Sequence, residues 1–196
     1  MKLGTAQKLL SATSLLTFAA PAWAHTGRDL LAGYAGGFLH PLAGPDHVLM
    51  MLAVGLWAAR PADPTRWQLP VAFLAMMSLG AAMGFAGLVL PAPELFIALS
   101  LVVMGVLVAT SYSFKMIPAL AAVGFFALFH GYVHAWEIGH GDSIISYCLG
   151  FLMATAMLQG LGISAGTVLC RYAVGAGYRV FGAFCTSMGV YLLAAG

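Results

Sequence analysis

The chain has 196 residues, of which 62% are hydrophobic and only 7% charged, with a mean hydropathy of +0.95. A soluble domain carries roughly 25% charged residues, so this composition excludes an ordinary globular protein and points to a single domain embedded in lipid. A formal net charge of +2 with no run of Lys or Arg excludes nucleic acid as a partner.

The first residues read as a secretory signal. Lys2 and Lys8 precede an apolar run from Leu9 to Ala20 that is too short to span a bilayer comfortably, and Ala22-Trp23-Ala24 supplies a small-x-small cleavage pattern. Cleavage after Ala24 makes residues 1–24 a signal peptide and 25–196 the mature membrane domain. His25 then becomes the N-terminal residue. Its free amine and imidazole together form a candidate chelate at the metal entry side, although small polar residues also simply suit a cleavage site.

Six apolar stretches follow, each near the 20 residues a spanning helix needs. They run from about Leu30 to Ala58, Leu69 to Leu90, Leu95 to Tyr112, Ile117 to Trp136, Ser143 to Leu169 and Val180 to Ala195. The fold class expected is therefore all-α: a six-helix transmembrane bundle behind a cleaved signal peptide. With the mature N-terminus outside, the loops holding Arg60 and Arg66, Lys115, and Arg171 and Arg179 fall in the cytoplasm. The outer loops, Pro91 to Glu94 and Ile138 to Asp142, contain no Lys or Arg, as the positive-inside rule asks. The C-terminus is then periplasmic as well.

The first stretch is interrupted by "HPLAGPDH", His40 to His47. Pro41 and Pro45 remove backbone donors and Gly44 adds freedom, so this helix should be kinked or unwound there. Unwound backbone in lipid is tolerable only where it packs on protein or lines a cavity. A buried Asp46 demands a partner, and a divalent cation flanked by His40 and His47 would supply one. Met50 and Met51 follow within two turns; thioethers hold soft ions, but core packing is their ordinary job.

Glu94 opens the third stretch, where a carboxylate also suits the helix dipole. The fourth contains "FHGYVHAWEIGHGD". His130, His134 and Glu137, spaced i, i+4 and i+7, share one helix face, and two imidazoles one turn apart are a recurrent chelating arrangement. His140 and Asp142 continue this column toward the outer surface, so with Glu94 and His25 they form a candidate entry path. A lone His in a membrane helix is more often a strut between helices. Five of the six histidines, however, fall in two short clusters with acids alongside. Imidazole with carboxylate suits Zn, Ni, Co or Cu(II), and because neutral imidazole is the ligand form, binding weakens in acid.

Cys148, Cys170 and Cys185 have no CxxC spacing and read as buried packing, with Cys148, nearest the outer face, the one weak candidate for a soft ligand. Small residues four apart, Gly33/Gly37, Gly80/Gly84 and Gly162/Gly166, let helices approach closely. "GGFLHP" at Gly36 to Pro41 echoes "FALFHG" at Phe126 to Gly131, and Ser100 and Ser187 each precede a Met-Gly-Val string two helices further on. A 3+3 repeat of this kind would be inverted, the layout of many secondary transporters.

"HPLAGPDHVLMMLAVGLWA" resembles the HPxxGxDH signature of the HupE/UreJ family, membrane proteins found with bacterial hydrogenase and urease systems. "PELFIALSLVVMG" and "FHGYVHAWE" look like further family features, and the likeness covers essentially the whole chain; Ala135 stands where many relatives carry Gly. The resemblance implies a secondary permease for Ni²⁺ or Co²⁺, with His40, Asp46 and His47 as the essential motif and His130, His134 and Glu137 as a second site. The expected protein is thus no enzyme. It is a multi-pass protein of the bacterial inner membrane that binds no cofactor tightly and takes a divalent metal ion as substrate, with a homo-oligomer left open. The alternative is an intramembrane zinc-dependent hydrolase in which the same His, Asp and Glu residues hold zinc and activate its water.

Overall fold

The computed structural model describes residues 33–59, 67–112, 114–138, 143–171 and 175–195. The expected signal peptide, His25, the Arg60 to Arg66 loop, His140 and Asp142 fall outside them. Among the described residues all regular structure is helical, in seven helices: α1 (Tyr34–Ala43), α2 (Pro45–Ala58), α3 (Gln68–Phe85), α4 (Pro93–Thr110), α5 (Met116–Glu137), α6 (Ile144–Arg171) and α7 (Gly175–Ala195). Helices α3 to α7 are each long and apolar enough to cross a membrane. This is the fold of a multi-pass membrane protein.

The first apolar stretch is broken as its sequence predicts. Helix α1 passes through Pro41, whose ring costs one backbone bond, and stops at Ala43. Gly44 is extended at φ −93° and ψ 115°, and α2 restarts with Pro45 in its first turn, where a missing N–H costs nothing. That backbone conformation is open to any residue, so conformational freedom is not the reason for glycine here. The reason is space: a Cβ on Gly44 would lie 2.9 Å from both Asp46 Oδ1 and His47 Nδ1.

Helix α2 is the centre of the bundle. From Leu49 to Ala58 only Leu52 escapes burial, and the helix packs against α1, α3, α4, α6 and α7. An apolar surface all round, rather than one stripe, is what such a position requires. The Trp57 indole N–H donates to the Tyr112 carbonyl at 2.8 Å, fixing the far end of α2 to the end of α4.

Backbones meet at glycines. Helix α1 presses on α6 where Gly37 faces the Tyr147 carbonyl and Gly150 faces the Tyr34 carbonyl, and α2 crosses α6 at Gly55 and Gly162. Helices α3 and α5 meet through Gly80 against Leu128 and Gly131 against Met77, and α4 and α7 through Gly105 and Gly182. In lipid, such close approach is what holds apolar helices together.

Three expectations need correction. Helix α3 ends at Phe85 rather than Leu90, because Gly87 takes φ +74° while its N–H bonds Gly84 O and the Leu88 N–H bonds Met83 O, a Schellman stop. Arg171 and Arg179, expected in a loop, are the last residue of α6 and part of α7, which begins at Gly175. Cys170 is exposed on the bundle exterior rather than packed inside, with its Sγ 3.2 Å from Tyr178 Oη; Cys148 is half-buried and Cys185 fully buried.

Candidate functional site

The break between α1 and α2 sets the geometry of the site. Asp46, in the first turn of α2, gains from the positive end of the helix dipole, and its Oδ1 lies 3.1 Å from His47 Nδ1. A carboxylate accepts only, so His47 donates through Nδ1–H. In the neutral imidazole, the ligand form, its Nε2 then carries the lone pair. That Nε2 meets His134 Nε2 at 2.5 Å, bringing together residues 87 apart in sequence. His134, as donor in this contact, passes the orientation on, so Asp46, His47 and His134 form one chain across α2 and α5.

The other histidines surround this pair. The His40 ring centroid is 4.8 Å from that of His134, and the His130 centroid is 5.4 Å from that of His47. His130 and His134 are 1% and 4% exposed. His130 Nδ1 has no partner at all, an open acceptor or donor held away from solvent. Thus the first-helix motif and the fourth-stretch motif, separate in sequence, become one cluster. Its walls are aromatic: Phe151 lies 4.6 Å from His134 and 5.8 Å from His40, and Phe73 lies 5.9 Å from His130. Phe73, Tyr147 and Phe151 drew no attention in the sequence, since aromatic residues are ordinary in apolar helices.

Among the described residues, no three His, Cys, Asp or Glu side chains are grouped so that one ion could sit between them. Two imidazole nitrogens, those of His47 and His134, do face each other. A cation held by two imidazoles at about 2.0–2.1 Å keeps their nitrogens about 3.3 Å apart in tetrahedral geometry. The rings need to part by only about 0.8 Å to reach that spacing. Asp46 would then sit behind His47 as the outer carboxylate that fixes tautomer and ring orientation.

Asp46 faces two ways. Besides bonding His47, it lines a cleft of about 610 Å³ together with Glu94 at the start of α4 and Leu192, Leu193 and Ala195 at the end of α7. Two carboxylates on one opening, one of them touching the histidine cluster, make a cation-attracting vestibule. The sequence placed Glu94 on an entry path without a way to pair it with Asp46. Glu137 closes α5; the position of its side chain is not among those described. Cys148 and His134 line a separate, largely apolar groove of about 250 Å³ between α3, α5 and α6.

The fold and site thus define a polytopic helical membrane protein whose ionisable residues gather at a broken helix in its interior. The family described as HupE / UreJ protein matches residues 13–192. The chain is also 39% identical over 173 residues to "Protein HupE" of Rhizobium leguminosarum bv. viciae, covering 84% of this chain and 91% of that one. The protein belongs to the HupE/UreJ family. No solved structure matches it.

Proposed function

We propose that the protein is a secondary permease that carries Ni²⁺, or Co²⁺, across the bacterial inner membrane into the cytoplasm and so supplies hydrogenase or urease maturation. One observation carries this reading: Asp46, which lines the vestibule together with Glu94, also contacts His47, whose other ring nitrogen meets His134 beside the helix break. A hydrated divalent ion is attracted by the carboxylates, exchanges water for neutral imidazole and is held by ligands that bind reversibly, as transport requires. Asp46 orients His47; His40 and His130 stand within reach for the next exchange.

The finer architecture belongs to the same proposal. Helices α1 and α2 are about 15 and 21 Å long, too short singly for a hydrocarbon core of about 30 Å but long enough together. They supply a sixth crossing beside α3 to α7. The closest packing pairs are α1 and α2 with α6, α3 with α5, and α4 with α7. Exchanging the first three crossings for the last three turns this set of pairs into itself, which supports an inverted 3+3 repeat. Lys115 precedes α5 and Arg171 ends α6, so alternating spans carry both to one face, opposite Glu94. The positive-inside rule assigns that face to the cytoplasm and the acidic vestibule to the periplasm, with both mature termini periplasmic after cleavage at Ala24.

The test is uptake of radiolabelled nickel into a nickel-limited host expressing His47→Ala. Uptake is expected to fall to the level of cells lacking the protein while the variant remains in the membrane. Normal uptake overturns the assignment. Purified protein that retains zinc, turns over a substrate and moves no metal in liposomes points instead to the hydrolase.

A further inference from the structure

Away from the histidines, two buried polar side chains of α6 each leave an oxygen without a hydrogen-bond partner. Thr155 is 0% and Gln159 1% exposed, and neither Thr155 Oγ1 nor Gln159 Oε1 has a hydrogen-bond partner. Thr155 stands apart from the other described helical threonines. Thr110, Thr167 and Thr186 each donate to the carbonyl four residues back, at 2.7 to 2.9 Å. Such back-bonding is the usual fate of a hydroxyl inside a helix, and Thr155 does without it. A glutamine serving only as a strut between membrane helices would have its carbonyl bonded. Here the Gln159 amide nitrogen reaches no better partner than the Met51 sulfur, at 4.0 Å.

These groups form a line that starts at the histidine cluster. Residues four apart share a helix face, so Phe151, Thr155 and Gln159 descend α6 turn by turn, and Met51 lies one turn beyond His47 on α2. Phe151 touches His134 and His40 at the top of that line, and Gln159 meets Met51 at its lower end. We propose that Thr155 Oγ1, Gln159 Oε1 and Met51 Sδ form a second cation station, which receives the divalent ion after it leaves the histidines. This inference rests on the cation-transport reading above.

The donor set suits the task. A hydroxyl, an amide carbonyl and a thioether are neutral and never compete with protons for the ion, and they hold it more loosely than imidazole beside a carboxylate. An ion leaving a tight site for a looser one continues its passage, whereas a second tight site would trap it. The thioether favours borderline ions such as Ni²⁺ and Co²⁺ over Mg²⁺ and Ca²⁺, which take oxygen ligands.

The test uses the full chain, purified and reconstituted. In equilibrium dialysis with nickel, wild type is expected to bind one tight and one weaker equivalent. His47→Ala should lose the tight one, and the double variant T155V/Q159L the weaker one. In liposomes that double variant should take up nickel more slowly by about tenfold for each of the two polar contacts it loses, while the cobalt(II) absorption of the histidine site stays as in wild type. Thr155→Ser, which keeps the hydroxyl, should restore the loss seen in Thr155→Val. Gel filtration checks folding, and Thr155→Val, being nearly isosteric, remains informative if Gln159→Leu does not fold. A second equivalent that is absent, or indifferent to both substitutions, overturns the station. Wild-type protein that binds two equivalents yet moves none overturns the permease and leaves the station standing.

Discussion

Replacing Gly44 with alanine separates the geometry of the cluster from the stability of the fold. The added Cβ would sit 2.9 Å from Asp46 Oδ1 and from His47 Nδ1, against the 3.4 Å at which ordinary contact begins. Both atoms must retreat by about 0.5 Å, which stretches a 3.1 Å contact to about 3.6 Å and ends it as a hydrogen bond. The backbone at φ −93° and ψ 115° accepts alanine without strain, and the methyl restricts the unfolded chain, so stability should hold or rise by about 0.4–1 kcal/mol. Loss of the carboxylate behind a ligating histidine costs about 10–100-fold in metal affinity. Gly44→Ala is therefore expected to melt in detergent at or slightly above the wild-type temperature while its nickel affinity falls within that range. Wild-type affinity in a variant that melts normally would refute the claim that Asp46 sets the state of His47. A collapse in melting temperature would refute the claim that only side chains crowd this glycine.

Gly37→Ala should behave in the opposite way. Its Cβ runs into the Tyr147 carbonyl, a backbone atom that cannot swing aside, so α1 must lift from α6 at about 1–3 kcal/mol; thermal melting should drop and protein yield with it. Glu94→Gln removes one of the two vestibule carboxylates but no histidine contact. The nickel concentration for half-maximal uptake should rise several-fold with the maximal rate unchanged, and the difference should shrink as ionic strength increases.

Much of the architecture can be read from the chain because lipid imposes simple rules. Long apolar stretches bounded by Pro, Gly or a charge place α4, α5 and α6 within a few residues, and Pro41, Gly44 and Pro45 announce the break. The end of α3 is different. Ala86 to Leu90 are as apolar as the helix before them, so hydropathy runs on past Phe85, and only Gly87 signals the stop. Sequence spacing unites His130 with His134 on one face of α5, but it has no means of showing that His134 meets His47, since that contact depends on how α5 packs against the other helices. The pairing of Glu94 with Asp46 across a cleft is hidden for the same reason. Gln159 and Thr155 lie within an apolar run and look like incidental polar residues until burial and missing partners set them apart. Gly44 shows a subtler limit: the position of the break is legible, but its glycine is there for the side chains two and three residues on rather than for its own torsion angles.

The glycine contacts place the two parts of the polar cluster on different helix pairs. His40, Asp46 and His47 ride on α1 and α2, clamped to α6 above and below the break, whereas His130 and His134 ride on α5, which is clamped to α3. The meeting of His47 with His134 thus joins a helix held against α6 to one held against α3. A shift of one pair against the other by an ångström or two would change the spacing of these two imidazoles without bending either helix.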